Sequence, residues 1–237
     1  MYVVLVSPLS HVVVRSDEDP GLGADFVRMV QESISQELGE TVTWEEPAES
    51  EETLVADELD PFCWHGLRAA ALRLEQEGSL EGFDPGEEPW DHPLFGEAEE
   101  RGGSERFPQV VHGEADLVAY APVELKDCFR LTPVADPDED VKGGDEKEGE
   151  EEAEGDVAVG SLPALRREVA ILGKALGLPD TPEISEDLVP ADSDDPLVEA
   201  RFGCAVLAVR AAEAAEVGVP LIIAWDDSPD EDDGDDE

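Results

Sequence analysis

Acidic side chains are so concentrated in two segments of this chain that they restrict where a folded core can form. The 237 residues include 62 Asp and Glu against 15 Lys and Arg, which gives a formal net charge of −47. Residues 136–156 contain 12 acids and two lysines, and residues 226–237 contain nine acids and no basic residue. Such segments cannot bury enough apolar surface to offset the conformational entropy lost on folding. We therefore expect one folded domain over residues 1–225, interrupted by an acidic low-complexity loop at 136–156 and followed by a disordered acidic tail at 226–237.

The remaining chain is also strongly acidic. Without the acidic loop and the acidic tail, the formal charge of the chain is still −28. A field of this sign repels nucleic-acid phosphates and anionic lipids, so direct binding to nucleic acid or to a membrane surface is disfavoured. The composition instead favours a basic protein as the partner.

Composition and cysteine usage predict a cytoplasmic globular protein. Hydrophobic residues make up 41% of the chain, enough for a core, and no apolar run approaches the 18 residues of a membrane span. The three cysteines are widely spaced and lack a CxxC pair, which is typical of buried thiols in a reducing compartment. No basic, cleavable leader precedes the first apolar stretch, so we expect no secretion signal.

Hydrophobic periodicity and capping residues predict alternating strands and helices. Runs of β-branched and apolar residues predict strands at 2–6, 41–44, 107–111, 117–123 and 219–225. Apolar residues at helical spacing, with Asp-Pro, Ser or Gly at the ends, predict helices at 23–38, 60–78, 161–176 and 195–218. Small residues in the last helix, among them Gly203 and Ala208, predict close packing. We expect a single α+β domain with a mixed sheet backed by about four helices, and the strands at 107–111 and 117–123 to form a hairpin.

A loop predicted at 78–105 is acidic but contains large aromatic residues. Loops of this length are uncommon in compact domains unless they are functional or disordered. The aromatic residues indicate that this loop is pinned to the body. We take Phe83, Trp90 and Phe95 as candidate partner-binding residues, because interface affinity usually comes from a few aromatic anchors.

One short pattern has the residue types of a metal site. In an extended segment, His112, Glu114 and Asp116 point to the same face, and an imidazole with two carboxylates can hold a divalent cation. The alternative is a polar turn, in which Gly and Asp are common. The turn is the more economical interpretation in a chain with 62 acids.

Cys63 and His65 stand at the start of a predicted helix, where a thiol pKa can be lowered. Residues two apart on a helix do not face each other, so a Cys–His catalytic dyad is disfavoured. The sequence also lacks GxSxG, HExxH, GxGxxG and GxxxxGK[ST], and no motif for a cofactor is present.

The layout from Phe107-Pro-Gln-Val-Val-His112 through Ala121-Pro-Val123 to Gly160-Ser-Leu-Pro-Ala-Leu165 and the final helix and strand resembles acidic bacterial proteins grouped with immunity partners of polymorphic toxins. The resemblance covers about half of the chain. It implies a non-enzymatic role in neutralising a partner, and it assigns no functional residue.

Three functional hypotheses follow. The first is an acidic binding protein that neutralises a basic protein, of the immunity or inhibitor type or as a mimic of nucleic-acid charge. The second is a metal-assisted hydrolase centred on His112, Glu114 and Asp116. The third is a housekeeping protein whose acidity is an adaptation to salt. A uniform distribution of acids over the surface would favour the third hypothesis, whereas acids grouped beside exposed aromatic residues would favour the first.

Overall fold

The computed structural model describes residues 1–10, 20–46, 55–112, 115, 117–131, 157–185, 188 and 193–225. In chain order, the elements of these ranges are β1 (Tyr2–Val6), α1 (Pro20–Leu38), β2 (Val55–Leu59), α2 (Pro61–Glu77), a 3₁₀ turn (Pro89–Asp91), α3 (Pro93–Glu100), β3 (Leu117–Ala121), β4 (Phe129–Leu131), β5 (Val157–Ser161), α4 (Leu162–Ala175), α5 (Val198–Val217) and β6 (Leu221–Trp225). The acidic loop at 136–156 and the acidic tail at 226–237 lie outside the described residues.

The strands form one six-stranded sheet in the order β2-β1-β6-β3-β5-β4 within the described ranges. The β3–β5 pair is parallel and the other neighbours are antiparallel, so the sheet is mixed. The predicted first strand lies inside the sheet, and Val4, Leu5 and Val6 are buried. Its first residue, Tyr2, is directly opposite Trp225 of β6, which brings the two ends of the described chain together.

The alternation of side chains along the strands divides the core into two layers. Val4 and Val6 face a large cluster with α2, α4 and α5, whereas Leu5 faces a smaller cluster with α1. Both layers are built mainly from aliphatic residues, as the composition predicts. The predicted α+β fold, with a mixed sheet backed by helices, is confirmed.

The helix signals in the sequence act as expected. Asp60 and Ser161 cap α2 and α4 through their side chains, each with a proline in the first turn, and Gly78 and Gly218 end α2 and α5 in the left-handed conformation. The apolar stripe of α4 is entirely buried: Leu162, Leu165, Val169, Leu172 and Leu176. Asp195-Pro196 does not start α5, which begins at Val198, because Asp195 closes a turn by accepting from the backbone N–H of Leu197.

The strand predicted at 41–44 is wrong. These residues have no regular secondary structure, and their backbone hydrogen bonds go to side chains of α1. The N–H of Val42 donates to Ser35 Oγ at 2.8 Å, and the carbonyl of Trp44 accepts from Gln31 Nε2 at 2.9 Å. Residues 41–44 therefore pack against α1 through side-chain hydrogen bonds and form no strand.

The hairpin predicted from 107–111 and 117–123 is also wrong. Residues 107–111 form a turn, and β3 pairs with β5 and β6 instead. The N–H groups of Gln109 and Val110 donate to the carboxyl group of Glu168 on α4, so this segment is bound to a helix rather than to a neighbouring strand.

No helix among the described residues is both long and apolar enough to cross a bilayer.

Candidate acidic interface and aromatic cavity

Residues 79–106, here called the acidic segment, run across the outer side of the α2 layer. The segment contains the 3₁₀ turn and α3, so part of the predicted loop is helical. Phe83, Leu94 and Ala98 are buried in the larger core cluster. Hydrogen bonds also attach the segment to α2. For example, the N–H of Glu105 donates to Glu75 Oε1 at 3.1 Å. The prediction that this region is pinned to the body is confirmed.

The acidic residues of the acidic segment are all exposed to solvent. Nine acids are exposed, and within the described part of the chain none of them forms an ion pair with a basic side chain. They are Glu81, Asp84, Glu87, Glu88, Asp91, Glu97, Glu99, Glu100 and Glu105. The segment has only two basic residues, Arg101 and Arg106. A high density of uncompensated negative charge therefore lies on a fixed scaffold.

Two exposed aromatic rings lie within this negative surface. Trp90, in the 3₁₀ turn, is 37% exposed, and Phe62, in the first turn of α2, is 36% exposed. Their ring centroids are 5.1 Å apart in an edge-to-face arrangement. Large exposed aromatic residues of this kind are typical of interface anchors.

The three predicted anchors have different surroundings. Trp90 is exposed, Phe95 is half-buried, and Phe83 lies in the core with 6% of its surface exposed. The ring of Phe83 packs under Arg73, so its role in the structure is to hold the acidic segment in place. Trp90 and Phe95 remain candidates for partner binding. Phe62, whose ring contacts that of Trp90, was not among the predicted anchors.

A cavity of about 580 Å³ opens beside Trp90, and we call it the aromatic cavity. It lies at the end of the sheet where β1 begins and β6 ends, and α2 forms one wall. Its lining residues are mostly aromatic or apolar: Tyr2, Pro61, Trp64, His65, Arg68, Trp90, His112, Ala115, Val118, Ile223 and Trp225. Three of the four tryptophans of the chain are among them.

The polar wall of the cavity is formed by His65 and Arg68 on successive turns of α2. His65 Nε2 is 3.0 Å from Tyr2 Oη, and its Nδ1 is 3.4 Å from Arg68 Nη1. Burial, with the Arg68 charge second, lowers the pKa of His65 to about 4, so the imidazole is neutral at physiological pH. Arg68 also donates to the backbone carbonyl of His112 at 2.6 Å. The cavity wall therefore contains a fixed cation and a neutral imidazole.

Nucleophilic chemistry has no support at the start of α2. Burial raises the pKa of the Cys63 thiol to about 12, and both ring nitrogens of His65 face other residues. This agrees with the expectation that the two side chains do not form a dyad. Cys63 and Cys204 are buried thiols, as predicted.

The metal hypothesis involves residues that the structure describes only in part. His112 lies in the wall of the aromatic cavity, whereas Glu114 and Asp116 lie outside the described residues. Among the residues that are described, no group of three His, Cys, Asp or Glu side chains is arranged to hold a metal ion. The site at 112–116 stays a prediction.

Fold and surface together define an acidic α+β protein in which a scaffolded array of carboxylates surrounds exposed aromatic residues. The chain belongs to the family described as "Putative DNA-mimic protein", whose model matches residues 3–223. No curated protein and no solved structure matches the chain.

Proposed function

We propose that this protein binds a DNA-binding protein by presenting carboxylates to the basic residues that would otherwise contact phosphates, and that it catalyses no reaction. The observation that carries this proposal is the set of nine exposed, unpaired acids in the acidic segment. Membership of a family described by DNA mimicry supports it.

The charge density suits such a role. Duplex DNA carries one charge per roughly 1.7 Å of helix axis, so a net charge of −47 corresponds to about 80 Å of duplex. A domain of this size is only a few tens of Å across, so its charge density is comparable with that of DNA. Such a field accelerates the encounter with a basic surface, while the exposed rings of Phe62 and Trp90 supply contacts that slow dissociation.

This mechanism makes the protein an inhibitor, because a partner that holds it cannot hold DNA at the same surface. An immunity relationship, in which the partner is a basic toxin, would use the same surface with a narrower choice of partner. Direct binding to nucleic acid is disfavoured by repulsion between charges of like sign.

A displacement experiment tests the proposal. Basic DNA-binding proteins would each be loaded with a short labelled duplex, and the chain would be added at low and at physiological salt. We expect release of the duplex from at least one of them, with an association rate that falls steeply as salt increases. Polyglutamate at equal total charge is the control for unspecific competition. Failure to release any duplex at low salt, or equal potency of polyglutamate, would contradict the proposal.

Two variants with equal charge changes separate mimicry from salt adaptation. Glu87→Gln/Glu88→Gln/Asp91→Asn neutralises three acids of the acidic segment, and Glu32→Gln/Glu37→Gln/Glu40→Gln neutralises three exposed acids on and just after α1, beyond the opposite face of the sheet. We expect the first variant to lower the association rate roughly tenfold and the second less than about twofold. Equal effects would mean that acidity is a general property of the surface.

A further inference from the structure

We infer that the aromatic cavity receives one aromatic side chain of the protein partner while the acidic segment engages the partner's basic residues. This inference rests on the proposed binding function. Nothing in the sequence or in the family description assigns a ligand to this cavity.

The lining of the cavity suits a planar ring. Its volume of about 580 Å³ leaves ample room for one aromatic side chain. Trp64, Trp90 and Trp225 line the cavity, and Ala115, Val118 and Ile223 complete an apolar lining. Aromatic rings pack favourably against such walls in edge-to-face or offset arrangements.

The polar wall of the cavity already holds one guanidinium group, that of Arg68. Arg68 is buried, with 5% of its surface exposed, and its guanidinium lies 5.8 Å from the Trp64 ring and 5.0 Å from the Phe95 ring. An incoming Lys or Arg would have to lose its hydration beside that guanidinium, whereas an aromatic ring loses little hydration and packs against the apolar lining.

The position of Trp90 connects the cavity to the acidic segment. Trp90 belongs to the 3₁₀ turn of that segment and also lines the cavity, and its ring lies 6.4 Å from that of His65. Trp225, 39% exposed, also borders the cavity. A partner lying across the acidic segment therefore meets the cavity without crossing another surface.

Side-chain analogues test the cavity alone. p-Cresol represents tyrosine and n-propylguanidinium represents arginine, and binding would be followed through the indole N–H signals of the four tryptophans by NMR. We expect p-cresol to shift the signals of Trp64, Trp90 and Trp225 saturably, and n-propylguanidinium to leave them unchanged. Trp44, which packs in the smaller core cluster on the other face, is an internal control. No response to p-cresol, or tighter binding of n-propylguanidinium at the same signals, would overturn the inference.

Two variants test whether the cavity takes part in partner binding. Ala115→Phe fills the cavity, and Trp44→Phe is a control outside it. We expect Ala115→Phe to abolish the p-cresol shifts and to speed dissociation from a partner found in the displacement experiment at least about tenfold, with the association rate unchanged. Loss of p-cresol binding with an unaltered dissociation rate would overturn the partner role. If p-cresol binds and no duplex is released, the proposed function fails but the cavity remains an aromatic site. The dispersion of the indole N–H signals reports whether each variant is folded. If Ala115→Phe does not fold, Trp90→Ala, which removes a lining residue of the cavity, is tested in its place.

Discussion

Gly203 of α5 packs directly against the first turn of α2. A β-carbon placed on Gly203 would lie 2.7 Å from the carbonyl oxygen of Cys63, which belongs to the backbone and cannot rotate away. This confirms the sequence prediction that small residues let the last helix pack closely. The contact matters for the site, because α2 also forms the wall of the aromatic cavity.

We therefore expect Gly203→Ala to lower the free energy of unfolding by about 1–3 kcal/mol, since overpacking forces the two helices apart. Urea unfolding monitored by circular dichroism would measure this. Gly96→Ala is the matched control, because Gly96 lies in α3 with no atom within 4 Å of the added carbon. That variant should be slightly more stable than the parent, by up to about 1 kcal/mol, through the higher helix propensity of alanine. Equal stability of both variants would contradict the packing argument.

At the scale of elements, Glu168 joins α4 to the turn at 107–111. Its two carboxyl oxygens accept from the N–H groups of Gln109 and Val110 at 3.0–3.1 Å. Gln109 also connects to β3 and β5. Its backbone carbonyl accepts a hydrogen bond from Tyr120 Oη, and its side-chain oxygen accepts one from the N–H of Ser161. Loss of hydration on burial outweighs these hydrogen bonds and raises the pKa of Glu168 to about 7.

This shift predicts a dependence of stability on pH. A carboxyl group with a raised pKa in the folded state contributes stability that is fully present below its unfolded pKa, near 4.5, and is lost as the pH rises through about 7. Glu168→Gln removes this titration. We expect the difference in unfolding free energy, parent minus variant, to fall by up to about 3 kcal/mol between pH 4.5 and pH 8, as measured by urea unfolding. Taking the difference cancels the titration of the other carboxyl groups. Parallel stability curves would show that Glu168 titrates normally.

At the scale of the whole molecule, the surface charge opposes folding. Self-repulsion is screened over about 8–10 Å at 0.1–0.15 M salt. We expect the urea midpoint to rise with sodium chloride, because screening relieves repulsion in the compact state more than in the unfolded chain. A midpoint that stays constant from low to molar salt would mean that the carboxylates are too dispersed to repel one another.

A shortened chain provides the control for this effect. Removing residues 136–156 and 226–237 reduces the formal charge to −28 and removes no residue of the described core. We propose that this variant keeps the fold, because loop-closure entropy depends only weakly on loop length. Its midpoint should depend less on salt than that of the parent, and a loss of cooperative unfolding would contradict the proposed domain organisation.

The sequence by itself determined the elements whose signals are local. The caps Asp60 and Ser161, the closing glycines and the buried stripe of α4 all depend on residues within one or two turns. In the acidic segment, large aromatic residues among the acids predicted attachment to the body, and Phe83 does lie in the core. Partner binding by Trp90 and Phe95 stays a prediction. β2 was missed because Val-Ala-Asp-Glu-Leu lacks β-branched residues beyond the first and reads as an acidic loop. It becomes a strand only by pairing with β1.

Tertiary structure alone decided the arrangements that join distant residues. Residues 107–111 have the composition of a strand, but the carboxyl group of Glu168, about sixty positions away, binds their N–H groups and holds them in a turn. The aromatic cavity is assembled from Tyr2, α2, His112 and Trp225, and no local pattern relates them. The antiparallel register that sets Tyr2 opposite Trp225 brings them together. Local sequence specifies caps, stripes and charge, whereas the shape of a cavity depends on pairing between segments that the chain keeps far apart.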